Sequence, residues 1–159
     1  MPNNDLNLTI NVTGEQQVVK TMRGYLGRVS NLQPFFERIA VDFKATEREI
    51  FREEGAVDGE SAWAPLDARY KAWKLKRFGV GSILARTGGL FAAAVHPTVE
   101  ITPTQLTLTV DSPLAMYHQG LERPATKVPR RPFVTITTGQ KRRWNKFLRE
   151  TIWDEGQGG

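Results

Sequence analysis

The chain has 159 residues, of which 40% are hydrophobic and 25% are charged, values typical of one soluble globular domain. It contains no cysteine, which excludes a disulfide framework, a thiolate metal site and a cysteine nucleophile, and fits a reducing cytoplasm. The net charge of +5 favours a polyanionic partner, either nucleic acid or an acidic protein surface. The N-terminus has no basic stretch leading into an apolar run, and no apolar stretch approaches membrane-span length. We therefore expect neither a secretory signal nor a membrane partner.

The N-terminal part of the chain predicts a strand and then a helix. Apolar residues alternate with polar ones from Leu6 to Val12, so residues 1–13 are expected to form a half-buried strand. The polar run that begins at Thr13 has the spacing of a capping box. Apolar residues then recur at helical spacing as far as Val29, which predicts a helix.

Three further helical segments are expected in the middle of the chain. Aromatic and aliphatic residues recur at helical spacing after Pro34 and predict a long amphipathic helix that ends at Gly55. A second helix is expected to begin at Pro65, with Tyr70 and Trp73 on one side and basic residues on the others, and to break at Gly79. A third is expected to begin at Ser82 and to bend at the glycine pair 88–89.

From Pro97 onward the pattern favours strands. Residues 99–101 and 106–110 alternate around a turn and predict a hairpin. Two more strands are predicted at Leu114–His118 and Phe133–Thr137, with a basic loop over residues 120–132 between them. A helix at Thr138–Trp153 is expected to close the fold.

The expected fold is therefore a single α+β domain over residues 1–159. In it, a mostly antiparallel sheet of four to five strands packs against the long amphipathic helix, and a C-terminal helix completes the core. Residues 154–159 are expected to form a flexible tail.

Catalytic and metal-binding patterns are absent from the sequence. His96 and His118 are the only histidines, and no neighbouring residues complete a metal set. No serine or threonine is placed with a histidine and an orienting acid. The glycine pairs near Gly79 and Gly88 lack the lysine of a phosphate loop. We expect no catalytic, cofactor-binding or metal-binding residue and no enzyme activity; a small hydrolase is the weakest interpretation considered.

Charge is placed unevenly along the chain. Residues 127–149 contain eight basic and no acidic residues, whereas residues 37–60 are rich in Glu and Asp. A pair of oppositely charged stretches suits self-association as well as DNA binding. Trp144 lies among the basic residues but shares the apolar helix face, which favours packing in a core or interface over base stacking.

Three segments, taken in order, indicate a family. They are Trp63-Ala-Pro65-Leu66 with Tyr70, Ile83-Leu84-Ala-Arg86-Thr87-Gly88-Gly89-Leu90, and Tyr117-His118-Gln119-Gly120 followed by Pro129-Arg130-Arg131-Pro132-Phe133. Together they resemble the phage virion morphogenesis family, the Mu-like tail completion proteins of tailed phages and prophages. The resemblance covers roughly residues 35–135. Longer members carry an insertion between the first two segments.

The resemblance implies a structural virion protein that completes the tail and joins it to the filled head. It implies an α+β subunit that forms a homo-oligomeric ring around the DNA channel, as a tail terminator or neck protein. The implied partners are the tail tube and the head-connector or neck proteins, with possible non-specific contact with DNA in the channel. The implied location is the virion, and the host cytoplasm during assembly. The alternative hypothesis is a DNA-binding accessory protein of a mobile element that contacts the duplex backbone.

A ring requires two different complementary patches on each subunit, and the acidic and basic stretches are the pair we expect. The candidates for the subunit interface or the lumen are Tyr117, His118, Gln119, Arg130, Arg131, Lys141, Arg142, Arg143, Lys146, Glu49, Glu53 and Glu54. Reversing Arg130 and Arg131 to Glu is expected to block assembly without unfolding the monomer.

Overall fold

The computed structural model of the protein describes residues 29–119 and 129–154. In chain order the elements are α1 (Gln33–Arg52), α2 (Ala68–Phe78), α3 (Gly89–Val95), β1 (Thr98–Ile101), β2 (Leu106–Thr109), α4 (Ala115–Gln119) and α5 (Thr138–Asp154). The strand predicted at residues 1–13, nearly all of the helix after it, residues 120–128 of the predicted loop, and residues 155–159 of the predicted tail lie outside the described residues.

The long amphipathic helix is confirmed as α1. It has 20 residues and a proline in its first turn, where the missing N–H costs nothing. At 1.5 Å per residue it spans about 30 Å. Its buried face includes Phe36, Ile39 and Phe43, which pack among α3, α5 and β1. The helix ends at Arg52, slightly before the predicted end at Gly55.

The expected sheet of four to five strands is wrong, because the described residues contain one sheet with two antiparallel strands. The predicted hairpin is confirmed: β1 pairs with β2 from Thr98 opposite Thr109 to Ile101 opposite Leu106. Its turn is closed by a 2.9 Å hydrogen bond from Thr102 N to Gln105 O.

The other two predicted strands are also wrong. The segment predicted as Leu114–His118 forms the short helix α4, and residues 133–137 form no strand. The side chain of Gln119 makes the hydrogen bonds to residues 133–134 that a neighbouring strand would otherwise make. Its Oε1 accepts from the N–H of Phe133 at 2.9 Å and from the N–H of Val134 at 3.4 Å. Its Nε2 donates to Val134 O at 2.7 Å. The apolar residues of segment 133–137 are buried or half-buried, but the segment forms no strand hydrogen bonds.

The two helices in the middle of the chain begin later than predicted. Helix α2 begins after Asp67, whose Oδ1 accepts from the N–H of Arg69 and of Tyr70, and it ends at Gly79 in a left-handed conformation. The next segment is not helical before Gly89, because Leu84 has a φ of +58° and interrupts any helix that starts at Ser82.

An aromatic cluster joins the core to the loops that follow α1. The Phe51 ring lies 5.5 Å from the Trp63 ring, 5.4 Å from the Phe91 ring and 5.6 Å from the Phe133 ring. The indole Nε1 of Trp63 also donates to Pro132 O at 2.7 Å. These contacts hold the residues around Trp63 against the segment that ends at Phe133, and thereby position the surface described next.

Candidate interaction surface

A pocket of about 520 Å³ lies between α2, α4 and residues 129–131; we call it the α2 pocket. All three segments that indicated the family contribute to its wall. Their lining residues are Leu66 and Tyr70 from the first, Leu84 and Arg86 from the second, and His118, Pro129 and Arg131 from the third. Segments that are separate in the sequence are therefore brought together at one site.

Arg131 forms the buried side of the α2 pocket. Arg131 is only 5% exposed. Its Nε donates to Ala64 O at 2.8 Å, and its Nη2 donates to Pro65 O at 3.1 Å. Burial lowers the pKa of Arg131, and the nearby Tyr70 and Glu54 oppose that change. A guanidinium remains protonated at neutral pH, so the pocket contains a desolvated positive charge.

Lys74 supplies a second buried charge and is the only buried residue of α2. It is 2% exposed, and Nζ donates to Ser82 O at 2.5 Å. Burial lowers the pKa of Lys74, and Glu54 partly offsets the effect. Glu54 was predicted as an interface candidate, but its Oε1 accepts from Ile83 N at 2.8 Å and so holds the loop after α2 inside the subunit.

The Tyr117–Gln119 candidates divide between the interior and the surface. Burial, followed by the nearby Arg131, lowers the pKa of His118 and so favours its neutral form. Its Nδ1 is buried and has no hydrogen-bond partner among the residues the structure describes. Gln119 supports Phe133 as described above, whereas Tyr117 is exposed.

The outer face of α2 carries exposed aromatic residues. The Tyr70 and Trp73 rings lie 5.6 Å apart, Trp73 lies 5.6 Å from Phe78, and the Arg86 guanidinium lies 4.9 Å from the Phe78 ring centre. Trp73 is 49% exposed, and the neighbouring Leu75 is also exposed. We call Tyr70, Trp73 and Phe78 the α2 aromatic face. Exposed basic residues surround it: Arg69, Lys71, Lys76 and Arg77.

Sequence analysis placed Tyr70 and Trp73 on one side of a helix but did not identify that side as exposed. It also assigned no role to Lys74, Arg86 or Leu114, all of which line the α2 pocket. One signal was present: the sequence of α2 alternates basic and aromatic residues so closely that no wide apolar stripe remains for a core.

Several of the predicted charged candidates are engaged within the subunit. Arg143 Nε donates to Asp42 Oδ1 at 2.6 Å, and Nη1 lies 3.3 Å from Asp58 Oδ2. Arg52 forms ion pairs with both Glu49 and Glu53. The acidic and basic stretches thus meet partly inside one chain, and their role between subunits stays a prediction.

The remaining basic candidates are exposed. Arg130 Nη2 donates to Gln119 O at 2.9 Å, and Lys146 lies 3.7 Å from the carboxylate of Glu150. Lys141 and Arg142 project from α5 into solvent. Trp144 is buried and donates to Asp42 Oδ2 at 2.8 Å, which agrees with packing in a core.

Comparison with known proteins identifies the family. The sequence model of the phage virion morphogenesis family matches residues 13–152. The chain belongs to this family. The match extends beyond the predicted resemblance at both ends and includes every residue of the α2 pocket. No curated protein and no solved structure matches the chain significantly.

Membership in the phage virion morphogenesis family indicates a structural role in building the virion and association with it. Within residues 29–119 and 129–154, no helix has the length and apolar character to cross a membrane. The same residues contain no cluster of three or more His, Asp or Glu side chains arranged to hold a metal ion.

Proposed function

We propose that this protein completes the phage tail and joins it to the filled head, as a subunit of a homo-oligomeric ring around the DNA channel. The α2 aromatic face is the observation that carries the proposal. Large exposed apolar patches on soluble proteins mark sites of protein–protein contact. In a protein of a virion morphogenesis family, such a face supports assembly with other virion subunits.

A second exposed apolar surface supports a head-to-tail arrangement. A groove of about 470 Å³ lies along α1 and α5, lined by Pro34, Val41, Ala45 and Phe147 among others. Val41 is 69% exposed, although it belongs to the helix that forms the core. A heterologous contact that closes a ring requires two different patches on each subunit. The α2 aromatic face and this α1 groove would supply such a pair, and the charged stretches remain the pair predicted from the sequence.

The ring would contact the tail tube on one side and the head-connector or neck proteins on the other, with assembly in the host cytoplasm. Exposed cations support contact with DNA in the channel. Arg130, Lys141, Arg142 and Lys146 are all exposed, and the first three form no ion pair with a described residue. Their contact with DNA would be to the phosphate backbone and would carry no sequence preference.

The test is deletion of the gene in its phage or prophage, followed by electron microscopy of the induced lysate. We expect filled heads beside unattached tails or tails of abnormal length. Normal infectious particles would contradict the proposal.

Complementation then tests the surface. A plasmid-borne Trp73→Ala variant is expected not to restore joining, because it removes the central ring of the α2 aromatic face. The control is Arg48→Ala, since Arg48 is exposed on α1 and lines neither the groove nor the pocket. Equal restoration by both variants would count against the α2 aromatic face as the assembly surface.

A second candidate function is backbone-directed DNA binding as an accessory protein of a mobile element. The observation that favours it is the row of exposed cations on α5, at Lys141, Arg142 and Lys146. Fluorescence anisotropy with duplex DNA would then show affinity that falls steeply with added salt and drops on reversal of Lys141 and Arg142 to Glu. Salt-sensitive binding together with a normal deletion phage would favour this function over tail completion.

A further inference from the structure

We propose that the α2 pocket binds a carboxylate side chain flanked by apolar residues, presented by a virion protein other than this one. The proposal deepens the proposed function, on which it rests for the source of the partner. It assigns the pocket to the contact between the ring and a different component of the virion. Contacts between copies of this chain stay with the α2 aromatic face, which meets the pocket at Tyr70.

Within the described residues, the cations of the α2 pocket form no ion pair with a carboxylate. These cations are Lys74, Arg86 and Arg131. Asp67 is the one carboxylate in the lining, and its Oδ1 is occupied by the two N–H groups at the start of α2.

Lys74 and Arg131 are buried, and a buried charge without a counter-charge lowers the stability of the fold. Lys74 donates to one carbonyl and Arg131 to two, so several N–H donors of each side chain remain unused by described residues. Glu54 acts on both through its nearby charge but forms no hydrogen bond or ion pair with either, and its Oε1 is bonded to Ile83 N. A buried cation without a counter-charge is destabilising, and a carboxylate that reaches it compensates the charge.

Four apolar residues stand beside the cations in the wall of the pocket, and they determine which kind of anion fits. Leu66, Leu84, Leu114 and Pro129 line the pocket beside the cations. An inorganic anion or a DNA backbone would leave these side chains uncovered, whereas a Glu or Asp with apolar neighbours would bury them. The volume of about 520 Å³ lies within the range that accommodates such a group.

Charge also indicates that the partner is a different protein. The mouth of the pocket adjoins α2, whose exposed residues Arg69, Lys71, Lys76 and Arg77 are all basic. A second copy that presented its own α2 to the mouth of the pocket would bring like charges together. An acidic partner would instead be attracted, and complementarity of this kind raises association rates and selects partners.

The charge requirement can be measured with octanoate and octanamide, which share an apolar chain and differ in the carboxylate. Equilibrium dialysis against the full chain should show saturable octanoate binding at least about tenfold tighter than octanamide binding. Equal binding of the two, or no saturable binding of octanoate, would overturn the proposal. Displacement of octanoate by equally low concentrations of inorganic phosphate would also overturn it, since that result indicates a bare anion site.

Substitutions at the rim locate the site. Arg86→Glu and Leu114→Asp each place a carboxylate at an exposed position of the rim, where folding tolerates it. Each should weaken octanoate binding at least about tenfold. Arg48→Glu makes the same change of charge on α1, away from the pocket, and should bind octanoate like the unmodified chain. Equal weakening by Arg48→Glu would overturn the location.

The source of the carboxylate is tested in the deletion phage and by sedimentation. Leu114→Asp should keep the self-association of the unmodified chain but fail to restore joined particles. Arg86→Glu is not used in this test, because the Arg86 guanidinium lies against Phe78 of the α2 aromatic face. Loss of self-association would overturn the inference, because it would assign the pocket to a second copy while the ring function stands. Normal particles from the deletion phage would instead contradict the proposed function and the virion source of the partner. In that case saturable octanoate binding would still support the carboxylate chemistry of the pocket.

Discussion

Arg143 on α5 and Asp42 on α1 form a two-point contact between the two longest helices of the described structure. Nε donates to Oδ1 at 2.6 Å and Nη2 to Oδ2 at 3.4 Å. The indole N–H of Trp144 donates to the same Oδ2 at 2.8 Å. Asp42 therefore binds two consecutive residues of α5 and fixes how that helix lies on α1.

Substitution of Asp42 tests how much this contact stabilises the fold. Asp42→Asn removes the charge that receives the Arg143 and Trp144 hydrogen bonds and should lower the free energy of unfolding by about 2 kcal/mol. Urea denaturation monitored by circular dichroism measures the change. Glu37→Gln is the control on the same helix: Glu37 is exposed, and its change should stay within about 0.5 kcal/mol. Equal effects of the two substitutions would show that the contact adds nothing.

Gly55 is required for the close approach of Trp63. It has a φ of +96°, and a Cβ added there would lie 2.7 Å from Trp63 Cδ1. Gly55→Ala should therefore lower the free energy of unfolding by about 2–4 kcal/mol, through backbone strain and overlap together. Gly59→Ala separates the two causes, because Gly59 has a φ of +86° and nothing within 4 Å of an added Cβ. Gly59→Ala should lower the free energy of unfolding by only about 1–2 kcal/mol. Urea denaturation of the two variants measures the difference.

The elements that sequence analysis predicted correctly are those whose pattern is local. The apolar spacing after Pro34 and after Thr138 is enough to define α1 and α5, because each helix buries a continuous stripe of its own residues. The hairpin of β1 and β2 follows equally from alternation on both sides of a short turn. In these cases the residues that decide the structure are neighbours in the chain.

The features that sequence analysis missed depend on residues that are distant in the chain. Residues 133–137 alternate like a strand, but the side chain of Gln119 satisfies the backbone of Phe133 and Val134. The order of the three family segments was visible, whereas their convergence around Lys74 and Arg131 depends on tertiary packing. Periodicity carries no information about which polar side chain reaches which backbone group, so neither the missing strand nor the α2 pocket could be predicted.

Glu47 makes the stability of the fold depend on pH. Its side chain is fully buried on α1, and both carboxylate oxygens lack a hydrogen-bond partner among the described residues. Burial raises the pKa of Glu47 well above 4.5. The folded protein therefore retains this proton at a pH where the unfolded chain releases it. The stabilisation is complete below the unfolded pKa and is lost as pH rises through the folded pKa.

Glu47→Gln should abolish this dependence, because an amide of the same shape stays neutral at every pH. Urea denaturation at about pH 4 and about pH 7.5 measures the difference between Glu47→Gln and the unmodified chain. We expect the variant to gain stability relative to the unmodified chain as pH rises. The lowered pKa of His118 has the opposite effect on stability, which is lost as pH falls below 6.5. This effect is present in both proteins and cancels in the difference between them. A difference that is the same at both pH values would contradict an ionisable, buried Glu47.

Arg130 and Arg131 are adjacent in the chain but should respond differently to reversal of charge. Arg131→Glu would leave Ala64 O and Pro65 O without their donor and would bury a carboxylate beside them, at a cost of about 3–5 kcal/mol. Arg130→Glu removes one exposed hydrogen bond to Gln119 O and should change stability by less than about 1 kcal/mol. The double reversal, which was expected to leave the monomer folded, should therefore destabilise it through Arg131. Thermal unfolding of the two single variants measures this difference, and a stable Arg131→Glu protein would contradict the buried position of that side chain.

Arg130→Glu is expected to keep the fold. It is therefore the variant with which electron microscopy tests the predicted interface or lumen role of this pair.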